Sequence, residues 1–311
     1  MYDFETFTEE LKTRLEDELG DNYNITVQPM VKTNRRETGI VIKNKYSDTA
    51  PVLSAENLYE DYKNGTVEDE IVGIVKGAIE NTPDFSLSDI DKESAKEHIR
   101  LSLMSYDRNA QLLKDVPHER IADLAAIPRW YIEDGMSFIV NDKVCRNLRL
   151  TKEEVLDMAH SNLESGNYTV RSMGAVLNNA LNSEHGMGAS FFPESEFKMF
   201  VVSNEQGIDG SSEILNPRAM KETREKIGED FVILPSSRHE VICIPKSTAS
   251  DISYFKDMVR TVNRTTVDIR DQLSDSVYEY NDKTRTISIA GQEHTIKRAV
   301  PMRQQAMSRG R

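Results

Sequence analysis

The densest run of chemically capable side chains is Ser236-Ser237-Arg238-His239-Glu240, entered through Pro235 and lying between two apolar runs. It combines hydroxyls, a guanidinium, an imidazole and a carboxylate. A loop held by two strands is where a rigid scaffold places ligand-binding groups. The same residue types also serve any tight turn. Ser236, Ser237, Arg238 and His239 are therefore the candidate binding residues, forming a ligand- or partner-facing rim. The alternative is an acid–base site in which His239 or His118 works with a nearby carboxylate.

Other chemistry has less to stand on. The histidines fall singly, at His98, His118, His160, His185, His239 and His294, with no His-Glu-x-x-His spacing to hold zinc. His118-Glu119 and His239-Glu240 are sequence neighbours, and neighbours on a strand point to opposite faces. There is no Gly-x-x-x-x-Gly-Lys-Ser/Thr loop and no Gly-x-Gly-x-x-Gly turn. Gly186-Met187-Gly188 is too short for a phosphate cradle and reads as part of a plain loop over 178–190. The 2 cysteines are too few for a disulfide framework or a cysteine metal cage. Cys243, among Val241, Ile242 and Ile244, reads as a small core residue. Cys145, between Lys143 and Arg146, has neighbours of the kind that lower a thiol pKa, but a packing role fits it better. No cofactor and no metal are expected.

The 311 residues suggest about two domains. The net charge of −13 disfavours a general nucleic-acid binder, because phosphate neutralisation needs clustered Lys and Arg. Residues 1–90 hold 19 acidic against 9 basic side chains, a balance of −10, so most of the net charge sits in the first third. No run approaches the length of a membrane span, and the acidic N-terminus lacks the apolar core of a signal peptide. The expectation is a cytoplasmic protein.

Several elements must position these residues. Phe4, Phe7, Leu11, Leu15 and Leu19 predict a first helix stopped by Gly20, with Thr8 as its cap. Runs 25–31 and 39–42 predict a hairpin around 33–37, with Pro29 at an edge or bulge. Residues 66–81 predict a helix with Thr66 and Asp69 as a capping pair. Residues 82–92 read as a linker, and 107–113 as a short helix. Thr151 and Glu154 form a capping box for a helix ending at Gly166. Runs 199–202 and 211–215 read as strands flanking a Gly-rich turn. They precede a helix capped by Asn216, with Pro217 first and Gly228 after its end. On this reading, strand pair plus helix at 121–165 recurs weakly at 199–228. Runs 231–234 and 239–244 predict a strand pair, and Phe231 to Leu234 and Val241 to Ile244, apolar on both faces, place it inside a sheet. A helix at 250–262 and a hairpin around 281–283 complete the reading.

Three stretches carry a resemblance. They are Leu112 through His118, Ile233 through Val241, and Val262 through Thr265 continuing to Asp271 through Tyr278. With them the chain resembles an uncharacterised bacterial family of unknown function associated with anaerobic Gram-positive bacteria. The likeness spans most of 1–285 and implies a bacterial cytoplasmic protein. It implies no catalytic residue.

The fold class expected is α+β, with mixed, largely antiparallel sheets built from hairpins and amphipathic helices packed on them. A small acidic helix–hairpin–helix unit is expected over 1–90, a larger α+β domain over 93–290, and a disordered basic tail over 291–311. The functional expectation is a binding or regulatory protein with a protein partner, no membrane, and nucleic acid only through the basic tail. Residues 294–311 carry five basic residues and no apolar period. Truncation after Glu293 should leave the thermal midpoint nearly unchanged; a fall of many degrees would show a docked tail.

Overall fold

The structure is a computed structural model. It describes residues 1–292 except 48, 83–85, 87, 89, 133–135, 186–191 and 193–197, so the tail, part of the 82–92 segment and Gly186-Met187-Gly188 lie outside the described residues. The chain divides into two compact units, Met1–Asp91 and Lys92–Arg311.

In the first unit, α1 (Phe4–Leu19) buries Phe7, Leu11 and Leu15 at a spacing of four residues. Asp3, not Thr8, is its N-cap, with the Asp3 side chain accepting from Thr6 N. Thr8 lies within the helix, and its hydroxyl donates to the Phe4 carbonyl. Strands β1 (Tyr23–Lys32) and β2 (Arg35–Asn44) pair antiparallel without a bulge, and β3 (Val52–Ser54) adds to β2. The turn narrows to Thr33 and Asn34, because Asn34 adopts φ 62. Pro29 sits on the edge strand, where its missing N–H costs no ladder bond.

Helix α2 (Ala55–Lys63) ends in a Schellman turn. Gly65, at φ +100, donates to Tyr62 O, and Thr66 donates to Asp61 O. Helix α3 (Glu68–Glu80) starts later than expected. Val67 is its N-cap and no side chain caps it, so the Thr66–Asp69 pair does not form a capping box. The core joins Phe7, Leu11 and Leu15 to Ile25, Ile40, Ile42, Leu58, Ile71, Val72 and Val75.

The second unit opens with α4 (Lys92–His98) and β4 (Ile99–Ser105), which pairs along β6 (Leu124–Tyr131). Strands β5 (Glu119–Ile121) and β7 (Ser137–Ile139) also pair with β6. Residues 107–113 do not form the expected helix; the helical turn is a 3-10 segment at Leu112–Asp115. Helix α5 (Asp142–Leu148) leads to α6 (Lys152–Ser165), which packs on β4. Its capping box is complete: Thr151 accepts from Glu154 N at 3.1 Å, and Glu154 accepts from Thr151 N at 2.8 Å.

Strand β8 (Tyr168–Ser172) and α7 (Met173–His185) follow, so 178–185 is helix and not loop. Strand β9 (Phe200–Asn204) leads to a 3-10 helix, Gly210–Leu215, where a strand was expected. The second strand pair of the suggested repeat is therefore missing. Helix α8 (Pro217–Ile227) has Asn216 as its cap and Gly228 at φ 85 after its end.

Strands β10 (Phe231–Leu234) and β11 (Val241–Pro245) lie inside a six-stranded sheet of order β13-β12-β10-β11-β9-β8, with β12 at Tyr278–Asn281 and β13 at Thr286–Ile289. All the described strand pairs are antiparallel, and the fold class is α+β. Val232, Leu234 and Ile244 meet Ile252 and Phe255 of α9 (Ile252–Thr265). Phe231 points to the other face and stacks on Tyr280 at 5.2 Å. Both faces of this strand pair are thus covered. Helix α9 packs Ile252, Phe255 and Val259 inward, while Met258 and Val262 at the edges of the same apolar face stay exposed and Asn263 is buried. Asn263 is drawn in because its amide donates to Ser274 O and Asp275.

The complete capping box gives Thr151→Ala a definite cost. The variant should lose about 0.5–2 kcal/mol of unfolding free energy in urea denaturation. No loss would mean that the box adds nothing beyond solvent exposure of the same amides.

Candidate functional site

The loop between β10 and β11 runs from Pro235 to Glu240, so His239 lies in the loop and not on the strand beside Val241. Three backbone contacts fix it. Arg238 N donates to Asp271 O at 2.7 Å, Ser211 N donates to Arg238 O at 3.2 Å, and Ser237 N donates to Glu240 O at 3.2 Å. The Ser203 hydroxyl donates to His239 O at 2.7 Å, and the Ser237 hydroxyl accepts from His239 N at 3.0 Å. Gly210 is required here by space: a Cβ would sit 2.1 Å from Ser203 Oγ and 2.6 Å from His239 O. The backbone of β9, the 3-10 helix and the β10–β11 loop come too close for any side chain at that position.

Asp209 stands at the centre. It is 1% exposed and adopts φ 54, which Asp tolerates better than most residues. The Asn204 side chain shapes the turn before it, accepting from Ile208 N and donating to Ile208 O. A buried carboxylate must be compensated. The Tyr131 hydroxyl donates to Asp209 Oδ2, and Arg129 Nε lies 3.6 Å from the same oxygen. Arg238 Nε lies 3.2 Å from Asp209 Oδ1 and 3.2 Å from Asp271 Oδ1. The Arg238 contact to Asp209 is an ion pair by distance, but its alignment is poor: both atoms are buried without a hydrogen bond. Ser211 Oγ, in the adjoining 3-10 helix, is buried in the same condition. Burial and the Asp209 charge push the Tyr131 hydroxyl well above its usual range, which keeps it a donor.

Both ring nitrogens of His239 are engaged. Nδ1 accepts from Asp209 N at 3.3 Å, and Nε2 faces Asp271 Oδ1 at 3.3 Å. An accepting Nδ1 puts the proton of the neutral ring on Nε2, where it points at Asp271. Asp271 is in turn anchored by its neighbours in sequence. Ser274, Ser276 and Tyr278 donate to the Asp123 carboxylate at 2.8, 2.8 and 2.6 Å. Asp123 thereby holds 274–278 against the turn between β5 and β6.

The candidate residues Ser236, Ser237, Arg238 and His239 therefore share one half-buried loop. His239 gains its carboxylate in Asp271. His118 lies elsewhere: its Nδ1 meets Val116 O at 2.8 Å, and Glu119 pairs with His160 instead. Sequence reading missed Arg129, Tyr131, Asp209 and Asp271. Asp209 had one visible signal, an acidic residue directly before the glycine of the 209–212 turn. Both cysteines are buried and free. Burial raises the Cys145 thiol, with Asp142 adding to it, so the flanking cations do not activate it. Among the described residues, no group of three or more His, Cys, Asp or Glu side chains could hold a metal. No described helix is long and apolar enough to cross a membrane.

Glu213 is a second buried carboxyl of the same 3-10 helix, 4% exposed, and desolvation pushes its pKa up to about 7. Asn216 Nδ2 donates to it at 2.8 Å and also to Leu163 O at 3.0 Å. Asn216 therefore ties Glu213 to the start of α8.

A model of the family of unknown function DUF5688 matches residues 4–282, and the chain belongs to that family. No curated protein and no solved structure matches it.

Because the folded carboxyl of Glu213 holds its proton more tightly than the unfolded one, its contribution is complete below the ordinary Glu pKa. It is lost as pH rises through about 7. The loss above that point is up to about 3 kcal/mol. Glu213→Gln should gain on the parent between about pH 5 and about pH 8 in paired denaturation curves. An equal difference at both pH values would show that Glu213 does not titrate in this window.

Proposed function

We propose that this member of the family is a bacterial, cytoplasmic binding or regulatory protein that meets its partner at the rim formed by Ser236, Ser237, Arg238 and His239. One observation carries the reading. The acidic and basic groups behind the rim are spent on one another, with Asp209 among Tyr131, Arg129 and Arg238, and both His239 nitrogens engaged. Such a cluster ties the loop to β6 and to the 271 segment, with Asp209 and Arg238 facing each other as an ion pair. The Arg238 and His239 side chains nevertheless keep 20% and 33% of their surface exposed, enough for a partner to touch.

The enzyme reading keeps one observation of its own, the contact of His239 with Asp271 at 3.3 Å, which is the pairing an acid–base site needs. It requires the Asp209 amide to release Nδ1, so that the ring can exchange its proton with a substrate.

The test is affinity capture from the native host with mass spectrometry, using the parent and two loop variants. His239→Ala removes the exposed ring. Arg238→Lys keeps a charge beside Asp209 but loses the planar guanidinium fork. Arg238→Ala is unsuitable, because it strips the cation from the buried Asp209 Oδ1, and breaking one side of a buried ion pair costs about 3 kcal/mol or more. Both chosen variants should keep the parent's circular dichroism and lose the captured partner. If both capture it as the parent does, the loop is only a turn and the proposal fails.

A further inference from the structure

The imidazole of His239 links two stretches of chain from opposite edges of its ring. Nδ1 accepts from Asp209 N at 3.3 Å, and Nε2 faces Asp271 Oδ1 at 3.3 Å. The backbone anchors of residue 239, to the Ser203 and Ser237 hydroxyls, involve no ring atom. The side chain keeps 33% of its surface exposed, so solvent protons reach it.

Gaining a proton changes both ring contacts. A charged imidazole carries N–H on both nitrogens and has no acceptor left. Nδ1–H then faces Asp209 N–H, donor against donor, and that hydrogen bond is lost. Nε2–H stays with the Asp271 carboxylate, and the contact becomes an ion pair.

The surrounding groups set the direction of the change. The 209 turn presents the Asp209 amide, and its carboxylate is held by Tyr131, Arg129 and Arg238. The 271 segment presents Asp271. Arg238 and Glu240 flank the ring in its own loop. Asp209 and Asp271 balance Arg129 and Arg238 at 0 while the ring is neutral, and the cluster reaches +1 when the ring is charged. Arg238 Nε and the ring share one oxygen, Asp271 Oδ1, at 3.2 and 3.3 Å. A charged ring competes with Arg238 for that oxygen, and Arg238 retains Asp209 Oδ1 at 3.2 Å.

We propose that His239 is a pH-operated latch: the neutral ring ties the β10–β11 loop to the Asp209 turn, and the charged ring lets that turn go and stays with Asp271. Histidine changes charge between about pH 5 and about pH 8, so the latch works across the neutral range. The opening is local, because the loop keeps its backbone bonds to Ser203, Ser211 and Asp271. The rim gains one positive charge as it opens. The latch goes beyond the partner reading, and its test needs no partner.

The test is nitrogen-15 NMR of the full chain from pH 8 to pH 5, following the His239 ring and the backbone amides together. The Asp209 amide should move in step with the ring nitrogens. Its protection from hydrogen exchange, corrected for the intrinsic rate, should fall by about tenfold or more, while the Ser211 amide keeps its own. Two variants that cannot titrate separate the latch from Glu213, which changes charge in the same window. His239→Asn places an amide oxygen where Nδ1 stood, so the Asp209 amide should stay protected at both ends of the range. His239→Gln places its amide group where Nε2 stood, so the Asp209 amide should be unprotected throughout. An Asp209 amide that stays protected while the parent ring gains its proton would overturn the latch. So would an amide that titrates in His239→Asn as it does in the parent.

Discussion

The second unit depends on neutralising one buried carboxylate. Asp209 is almost wholly withdrawn from water, and an uncompensated charge there would cost several kcal/mol. Its compensation comes from separate stretches of chain: Arg129 and Tyr131 at the end of β6, and Arg238 in the β10–β11 loop. The Asp209 amide meanwhile holds the His239 ring. Satisfying this group brings the end of the four-stranded sheet to the loops of the six-stranded sheet. The candidate loop is thus fixed by electrostatics as well as by its flanking strands.

A second carboxylate repeats the device from the other side. Asp123 collects three hydroxyls from 274–278, so the segment that carries Asp271 cannot drift from the loop that Asp271 contacts. The Tyr278 hydroxyl is pushed well above its usual range by burial, with the Asp123 charge adding to it, and it remains a donor. The residues that most resembled a family signature, Ile233–Val241 and Asp271–Tyr278, are the two segments clamped to each other. They are accounted for by architecture before any role in binding is invoked.

What the sequence disclosed was local. The Thr151–Glu154 box and the Asn216-Pro217 start with its Gly228 stop depend on residues within a few positions, and they form as read. The two-faced apolarity of β10 and β11 located them inside a sheet. Reading failed where distant partners decide. Residues 211–215 have strand-like composition, yet the left-handed Asp209 and the crowded Gly210 start a 3-10 turn there. His239 looked like the first strand residue, but Ser203 takes its carbonyl and Asp209 its ring. Tyr131 and Asp209 are 78 positions apart, and no local period links them.

The central claim is that His239 is a held ring and not a free base. Nitrogen-15 NMR of the imidazole, in its neutral form, reports which ring nitrogen carries the proton. The account predicts the Nε2–H tautomer, with Nδ1 unprotonated and accepting from the Asp209 amide. Asp209→Asn, which keeps that amide, should leave the tautomer unchanged if the variant folds. A parent ring protonated on Nδ1, or one exchanging freely between the two forms, would contradict the account and return His239 to the role of acid or base.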